Sequence, residues 1–216
     1  MKMLNPHRDN AFMRVLLLPP FLLIGACATA PQTAVSDATV PTKPAPADTT
    51  PLLTRTGPAV VAENLVLTEW AKAENKAACA PAGFLKTGQP MNARRADFGG
   101  GWAVAFDLPA LRSAYGIAGV GLLNSDNDSE ASKRAELENQ WPHFRELPAL
   151  PKSSYAGYGL VGAEAYPSNN PEGTGLHSLA YVRIGGQKCL YNVWSNISRA
   201  HLESLLDNIR LIETVE

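Results

Sequence analysis

A predicted β-hairpin followed by an amphipathic helix constrains the fold of this chain most strongly. Two largely apolar stretches, 176–184 and 187–194, flank Gly185-Gly186, and a glycine pair between such stretches is typical of a two-residue hairpin turn. Leucine and isoleucine recur every three or four residues from about Arg199 onward, directly after Ser198, a good N-cap residue. We therefore expect an α+β fold, with an antiparallel sheet, helices packed on one of its faces and a C-terminal amphipathic helix.

The two faces of this hairpin differ in character. With a two-residue turn, Val182 would lie opposite Cys189, and Arg183 would lie opposite Lys188. One face is then apolar and suited to lie beneath the C-terminal helix. The other face mixes aromatic, basic and polar groups, a composition typical of binding surfaces when it is exposed. This candidate binding face consists of His177, Tyr181, Arg183, Lys188 and Trp194. The alternative is that another segment covers this face and makes Trp194 part of the core.

The rest of residues 59–216 fits the same fold class. Residues 102–108 alternate between large apolar and other side chains, which predicts a half-buried strand. The glycine-rich stretch Gly116–Gly121 predicts a strand that packs closely against a bulky neighbour. Other predicted elements are strands within 115–123 and 157–166, helices within 62–78 and 129–141, and a loop at 167–175.

Composition divides the chain into three parts. Residues 27–58 are rich in alanine, threonine and proline and have no hydrophobic periodicity, so they cannot bury enough apolar surface to order themselves. We expect them to form a disordered tether. Residues 59–216 have the length and the apolar content of a single α+β domain.

Residues 1–26 have the pattern of a signal peptide. The apolar run at 15–26 has 12 residues, whereas a helix that spans a bilayer needs about 20, and Pro19-Pro20 interrupts it. Arg14 supplies the positive charge before the run. The run ends in Ile24-Gly25-Ala26-Cys27, which resembles the lipobox of bacterial lipoproteins.

The resemblance to bacterial lipoproteins implies a location and an anchor. It implies that residues 1–26 are removed and that Cys27 becomes the acylated N-terminus, whose acyl chains (palmitate among them) are held in a membrane. By the same resemblance, Ala28 favours the outer membrane, with the domain facing the periplasm. The alternative is an ordinary secreted protein that is cleaved near residues 28–30.

The same resemblance determines how the three cysteines are used. If Cys27 carries lipid, Cys79 and Cys189 remain as a pair in an oxidising compartment, where a disulfide bond is expected. Closing a loop of about 110 residues would stabilise the domain by roughly 4.7 kcal/mol in the chain-entropy model. The alternative is two free thiols.

Charge and motifs exclude several classes of partner. Loss of residues 1–26 removes three basic residues and one acidic residue, which takes the formal net charge from −1 to −3 and argues against nucleic-acid binding. Gly116–Gly121 has the wrong order for a dinucleotide-binding loop, and Asp126–Glu130 lacks the glycine and the glutamate that a calcium loop needs next. The remaining histidines show no metal-ligand spacing: His143, His177 and His201. We predict no cofactor and no metal.

No motif specifies catalysis. The chain lacks the G-x-S-x-G sequence of serine hydrolases, and no carboxylate pair is marked. The leading hypothesis is a non-enzymatic, lipid-anchored binding or interaction module for an envelope protein, a cell-wall fragment or a small anion. The alternatives are an envelope hydrolase whose site assembles only in three dimensions, and a purely structural envelope lipoprotein.

Overall fold

A computed structural model describes residues 60–85, 91–122 and 129–214. The predicted signal peptide, the predicted acylation site Cys27 and the predicted tether at 27–58 lie outside the described residues. The three described helices are α1 (Glu63–Lys72), α2 (Glu130–Gln140) and α3 (Arg199–Asn208). The strands are β1 (Ala82–Phe84), β2 (Asn92–Arg95), β3 (Trp102–Leu108), β4 (Leu111–Leu122), β5 (His143–Glu146), β6 (Tyr155–Leu160), β7 (Ser178–Arg183), β8 (Cys189–Ser195) and β9 (Ile209–Leu211). No helix among these residues is long and apolar enough to span a membrane.

Seven of the strands form one sheet. Their order is β2-β3-β4-β8-β7-β6-β5, and every neighbouring pair is antiparallel. The two remaining strands, β1 and β9, form a separate antiparallel pair. The prediction of an α+β fold with an antiparallel sheet and a C-terminal amphipathic helix is confirmed.

The hydrophobic core lies on one face of the large sheet, which we call the core face. The strand register places Val104, Ile117 and Val193 side by side on this face, and all three are fully buried. Helices α1 and α3 cover the core face. From α3, the side chains that enter the core are Leu202, Leu205 and Leu206. Ser198 caps α3 as predicted, since its side chain accepts a hydrogen bond from the backbone N–H of His201.

Helix α2 packs on the opposite face, which we call the outer face, so the helices cover parts of both faces rather than one. Leu137 and Trp141 lie against Gly157 of β6, where a Cβ atom would come within 2.7 Å of the Trp141 ring. The Trp141 ring also makes an edge contact with Tyr181 of β7, with centroids 5.3 Å apart. The missing side chain at Gly157 explains how this largely polar helix can approach the sheet so closely.

The predicted hairpin forms from β7 and β8, but its register differs by two residues from that of a two-residue turn. Val182 pairs with Tyr191 rather than with Cys189. In the longer loop, the Gln187 N–H donates to the Ile184 carbonyl, and the Lys188 N–H donates to the carbonyl of Ala78, far away in the chain. A shift of two residues keeps each side chain on its predicted face. However, Arg183 and Lys188 are not cross-strand neighbours.

The predicted disulfide bond between Cys79 and Cys189 is present. Both residues are buried, and their Cα atoms lie 5.3 Å apart. The bond attaches the turns that follow α1 to the beginning of β8. It therefore fixes the loop of the hairpin against the N-terminal part of the domain.

Candidate binding groove on the outer face of the sheet

The residues of the predicted binding face do not form one continuous exposed surface. Arg183 is only 7% exposed and forms an ion pair with Glu130 of α2, while Tyr181 packs under the same helix. Lys188 is exposed in the hairpin loop. Trp194 is 7% exposed, and it lines a groove together with His177.

This groove lies on the part of the outer face that α2 leaves uncovered, and its volume is about 370 Å³. Five of its lining residues are apolar: Ala96, Phe98, Val161, Leu179 and Trp194. Four are polar: Ser113, His177, Asn192 and Asn196. Small-molecule sites have volumes of about 300–1,000 Å³ and a similar mixture of apolar walls and a few polar groups.

Small residues of the sheet make room for the groove. The register places Trp194 between Gly116 of β4 and Leu179 of β7. A Cβ atom at Gly116 would lie only 2.2 Å from Cζ2 of Trp194, so the indole can lie against β4 only because this residue is glycine. The prediction that the glycine-rich strand packs against a bulky neighbour is thus confirmed. Next to Gly116, the outer face carries Ala105 and Ala118, whose small side chains project little from the sheet.

Hydrogen bonds to Ser113, whose backbone is strained, fix the side chains of Trp194 and Asn196 in the groove. The carbonyl of Ser113 accepts hydrogen bonds from Trp194 Nε1 (3.3 Å) and from Asn196 Nδ2 (2.9 Å). Ser113 has φ +50°, a left-handed conformation that is uncommon for serine. Its N–H donates to a carboxylate oxygen of Asp107 (2.6 Å), and Arg94 bonds to both Asp107 and the Ser113 hydroxyl. Backbone strain that is held by such contacts is common at functional sites.

The same contacts determine the charge state of Asp107. The hydrogen bond from the Ser113 N–H, followed by that from Arg94, lowers the pKa of the Asp107 carboxyl below its usual value. The carboxylate is therefore ionised at neutral pH and accepts both hydrogen bonds. Because Ser113 in turn orients Trp194, the ion pair at the edge of the sheet supports the shape of the groove.

Asn192 supplies an unpartnered polar group in the groove wall. This residue lies between Ala118 and Tyr181 on the outer face and is 8% exposed. Its Oδ1 atom is buried and has no hydrogen-bond partner. Most buried polar atoms in proteins are hydrogen-bonded. Of the seven buried side-chain atoms without a partner in the described part of the chain, Asn192 Oδ1 is the one whose residue lines the groove.

The groove is apolar at its rim and carries no formal charge. Val161 is 48% exposed, the highest exposure of any large apolar residue in the described part of the chain. Desolvation lowers the pKa of His177, so its imidazole is mostly neutral at pH 7. None of the other lining residues is ionisable in the physiological range. The groove thus fits an uncharged ligand better than the small anion considered from the sequence.

The three histidines of the domain lie in different places. His143 lies on β5 and stacks on Tyr158, with ring centroids 5.2 Å apart, while His177 lies at the groove. His201 Nδ1 lies 2.9 Å from the hydroxyl of Ser195. Ser195 is fully buried, and its hydroxyl also accepts a hydrogen bond from the N–H of Ile197. The contacts of Ser195 with His201 and Ile197 therefore stabilise the loop before α3. Within the described residues, no cluster of three or more His, Cys, Asp or Glu side chains could hold a metal ion.

The sequence analysis singled out His177 and Trp194 but not the seven other residues of the groove: Ala96, Phe98, Ser113, Val161, Leu179, Asn192 and Asn196. For Asn192, a signal was present, because alternation along β8 places this polar residue on one face between Leu190 and Trp194. Phe98 lies in the connection between β2 and β3, which has no periodic pattern. Only the folded chain brings it to Trp194, with ring centroids 6.1 Å apart.

No family model, curated protein or solved structure matches this chain. The groove's own geometry and chemistry are therefore the basis for its functional interpretation.

Proposed function

We propose that this chain is a lipid-anchored protein of the bacterial envelope that acts as a binding module rather than as an enzyme. Its ligand is a small, uncharged, mostly apolar molecule that occupies the outer-face groove. The observation that supports this proposal is the combination, in one groove, of an apolar wall with the buried Asn192 amide, whose Oδ1 atom has no partner.

The rigidity of the groove also supports a binding role. Trp194 is fixed by a hydrogen bond, by Gly116 beneath it and by the Phe98 ring beside it. A preformed wall does not have to be ordered when the ligand binds, which reduces the entropic cost of binding. The exposed Val161 side chain at the rim provides apolar surface that a ligand would cover.

The proposal places the domain in the periplasm. The lipobox-like sequence Ile24–Cys27 supports acylation of Cys27, and Ala28 supports anchoring in the outer membrane. The tether at 27–58 would then let the domain stand away from the membrane surface.

Acylation is tested by metabolic labelling with an alkyne analogue of palmitate. We expect the wild-type chain to be labelled and to fractionate with membranes. The Cys27→Ala variant should lose the label, because only that cysteine follows the lipobox-like residues. An unlabelled wild-type chain would refute the anchor.

Ligand binding is tested on the mature chain without its acyl group (residues 28–216), with N-phenyl-1-naphthylamine as a neutral apolar probe whose fluorescence rises in apolar sites. We expect saturable binding to the wild-type chain. Val161→Glu places a charge at the exposed rim of the groove and should weaken binding at least tenfold. Ala200→Glu places the same charge at an exposed position of α3, outside the groove, and should leave binding unchanged. Equal binding by both variants would place the probe elsewhere.

A further inference from the structure

We infer that Asn192 recognises the head group of the ligand, and that the groove selects a neutral single-chain amphiphile with a primary amide head over an anionic or cationic amphiphile of the same chain length. This inference rests on the proposed function, because it concerns the ligand of the same groove.

The position of Asn192 supports a recognition role. Along β8 it precedes Trp194 on the outer face, so the carboxamide lies beside the apolar wall that the indole forms. Across the sheet its neighbours are Ala118, which has no polar side-chain atom, and Tyr181, which packs under Trp141 of the α2 C-cap. The sheet therefore leaves the Oδ1 atom of Asn192 buried without a donor.

The chemistry of a carboxamide favours a head group that both donates and accepts hydrogen bonds. The terminal torsion of asparagine is soft, so rotation about it can present either the oxygen or the nitrogen to the groove. A primary amide complements both orientations. A ligand of this type would hydrogen-bond to whichever atom of the Asn192 carboxamide faces the groove, while its chain covers Leu179, Trp194 and Val161.

The absence of formal charge in the wall of the groove disfavours ionic head groups. A carboxylate or an ammonium group would lose its hydration on entering and would find no opposite charge among the lining residues. Arg183, a basic residue on the same sheet face, is buried and already paired with Glu130. An anionic ligand therefore has no available cation in this wall.

The inference is tested with three ten-carbon competitors that differ only in their heads: decanamide, decanoate and decylammonium. Each displaces N-phenyl-1-naphthylamine from the chain of residues 28–216, below its critical micelle concentration. We expect decanamide to displace the probe at concentrations at least tenfold lower than those of the two ions. Asn192→Leu keeps a side chain of similar size but removes the amide, so it should bind the probe and lose most of this preference. Asn192→Ser serves as a second variant if the leucine variant does not fold.

The outcomes separate the inference from the proposed function. Probe binding with decanoate or decylammonium as the best competitor would overturn the inference and leave the groove as a binding site. The same conclusion follows if the variants retain the full preference for decanamide. If the wild-type chain binds neither the probe nor any competitor, the proposed function fails, and the inference fails with it.

Discussion

At the scale of single residues, Gly116 matters to both the sheet and the groove, because neither leaves room for a side chain at this position. Gly116→Ala would place a Cβ atom 2.2 Å from the Trp194 ring and 2.6 Å from the carbonyl oxygen of Val104. Neither atom can move away easily, since Trp194 is packed and Val104 lies in the sheet. We expect a loss of about 1–3 kcal/mol in the free energy of unfolding, measured with urea. Gly99→Ala, which meets nothing within 4 Å, is the control and should be near neutral.

Asp107 gives the fold a pH dependence that can be measured. Its pKa is lower in the folded chain than in the unfolded chain, because the Ser113 N–H and Arg94 bond to the carboxylate. Its contribution to stability is therefore present above about pH 4 and is lost as the pH falls through the lowered pKa. Asp107→Asn should reduce the free energy of unfolding at pH 7 by about 1 kcal/mol, since the site is partly exposed.

The dependence of the free energy of unfolding on pH distinguishes the Asp107 carboxylate from exposed carboxylates. The wild-type chain should lose stability more steeply between pH 5 and pH 3 than Asp107→Asn does, as followed by urea unfolding across that range. Asp97→Asn replaces an exposed carboxylate in the nearby connection and should follow the wild-type slope. Parallel profiles for the wild-type chain and Asp107→Asn would contradict the assignment.

The sequence predicts some single residues well and others not at all. The Cys79–Cys189 bond was predictable, because removing the lipobox-like cysteine leaves one pair. The burial of Trp194 was one of two alternatives that the sequence left open, because it depends on Phe98, which lies in a connection without periodicity. Whether an aromatic residue on a strand is exposed is decided by what the rest of the chain places over it, and local pattern carries no information about that.

At the scale of elements, the sequence predicts the type of an element and its faces better than it predicts pairing. Alternation over residues 102–108 and along the hairpin placed side chains on the correct faces. The hairpin register depends on the Lys188 N–H bond to Ala78, a long-range contact that a local turn signal cannot reveal. In the same way, the side on which α2 packs depends on Gly157, whose role appears only when the strands are in order.

The N-cap of α3 provides a test at the element scale. The Ser198 hydroxyl accepts the N–H of His201, which would otherwise lack a partner within the helix. Ser198→Ala should lower the free energy of unfolding by about 1 kcal/mol, measured by urea unfolding. Ser198→Asp keeps an acceptor at the same position and should recover most of the loss. If the two variants are equally destabilised, the cap does not contribute as described.

At the scale of the whole molecule, the disulfide bond is expected to be the largest single covalent contribution to stability. It spans a sequence separation of 110 residues, so the chain-entropy model assigns it about 4–5 kcal/mol. A reductant that is strong enough to cleave the buried bond should shift the urea midpoint of the wild-type chain downward. The double variant Cys79→Ala/Cys189→Ala should have the lower midpoint with or without reductant. Peptide mapping without reduction should recover one linked Cys79–Cys189 peptide pair.

The pairing of β1 with β9 also means that part of the fold can form only after β9 has been synthesised. A chain that emerges from the ribosome amino end first presents β1 long before β9, and β4 long before its partner β8. The part of the core face that α3 covers therefore stays open until Leu202, Leu205 and Leu206 have emerged. The sequential neighbours β2, β3 and β4 can pair early, but β4 has no partner on its other side until β8 appears. The topology thus delays closure of the core face until α3 has been synthesised.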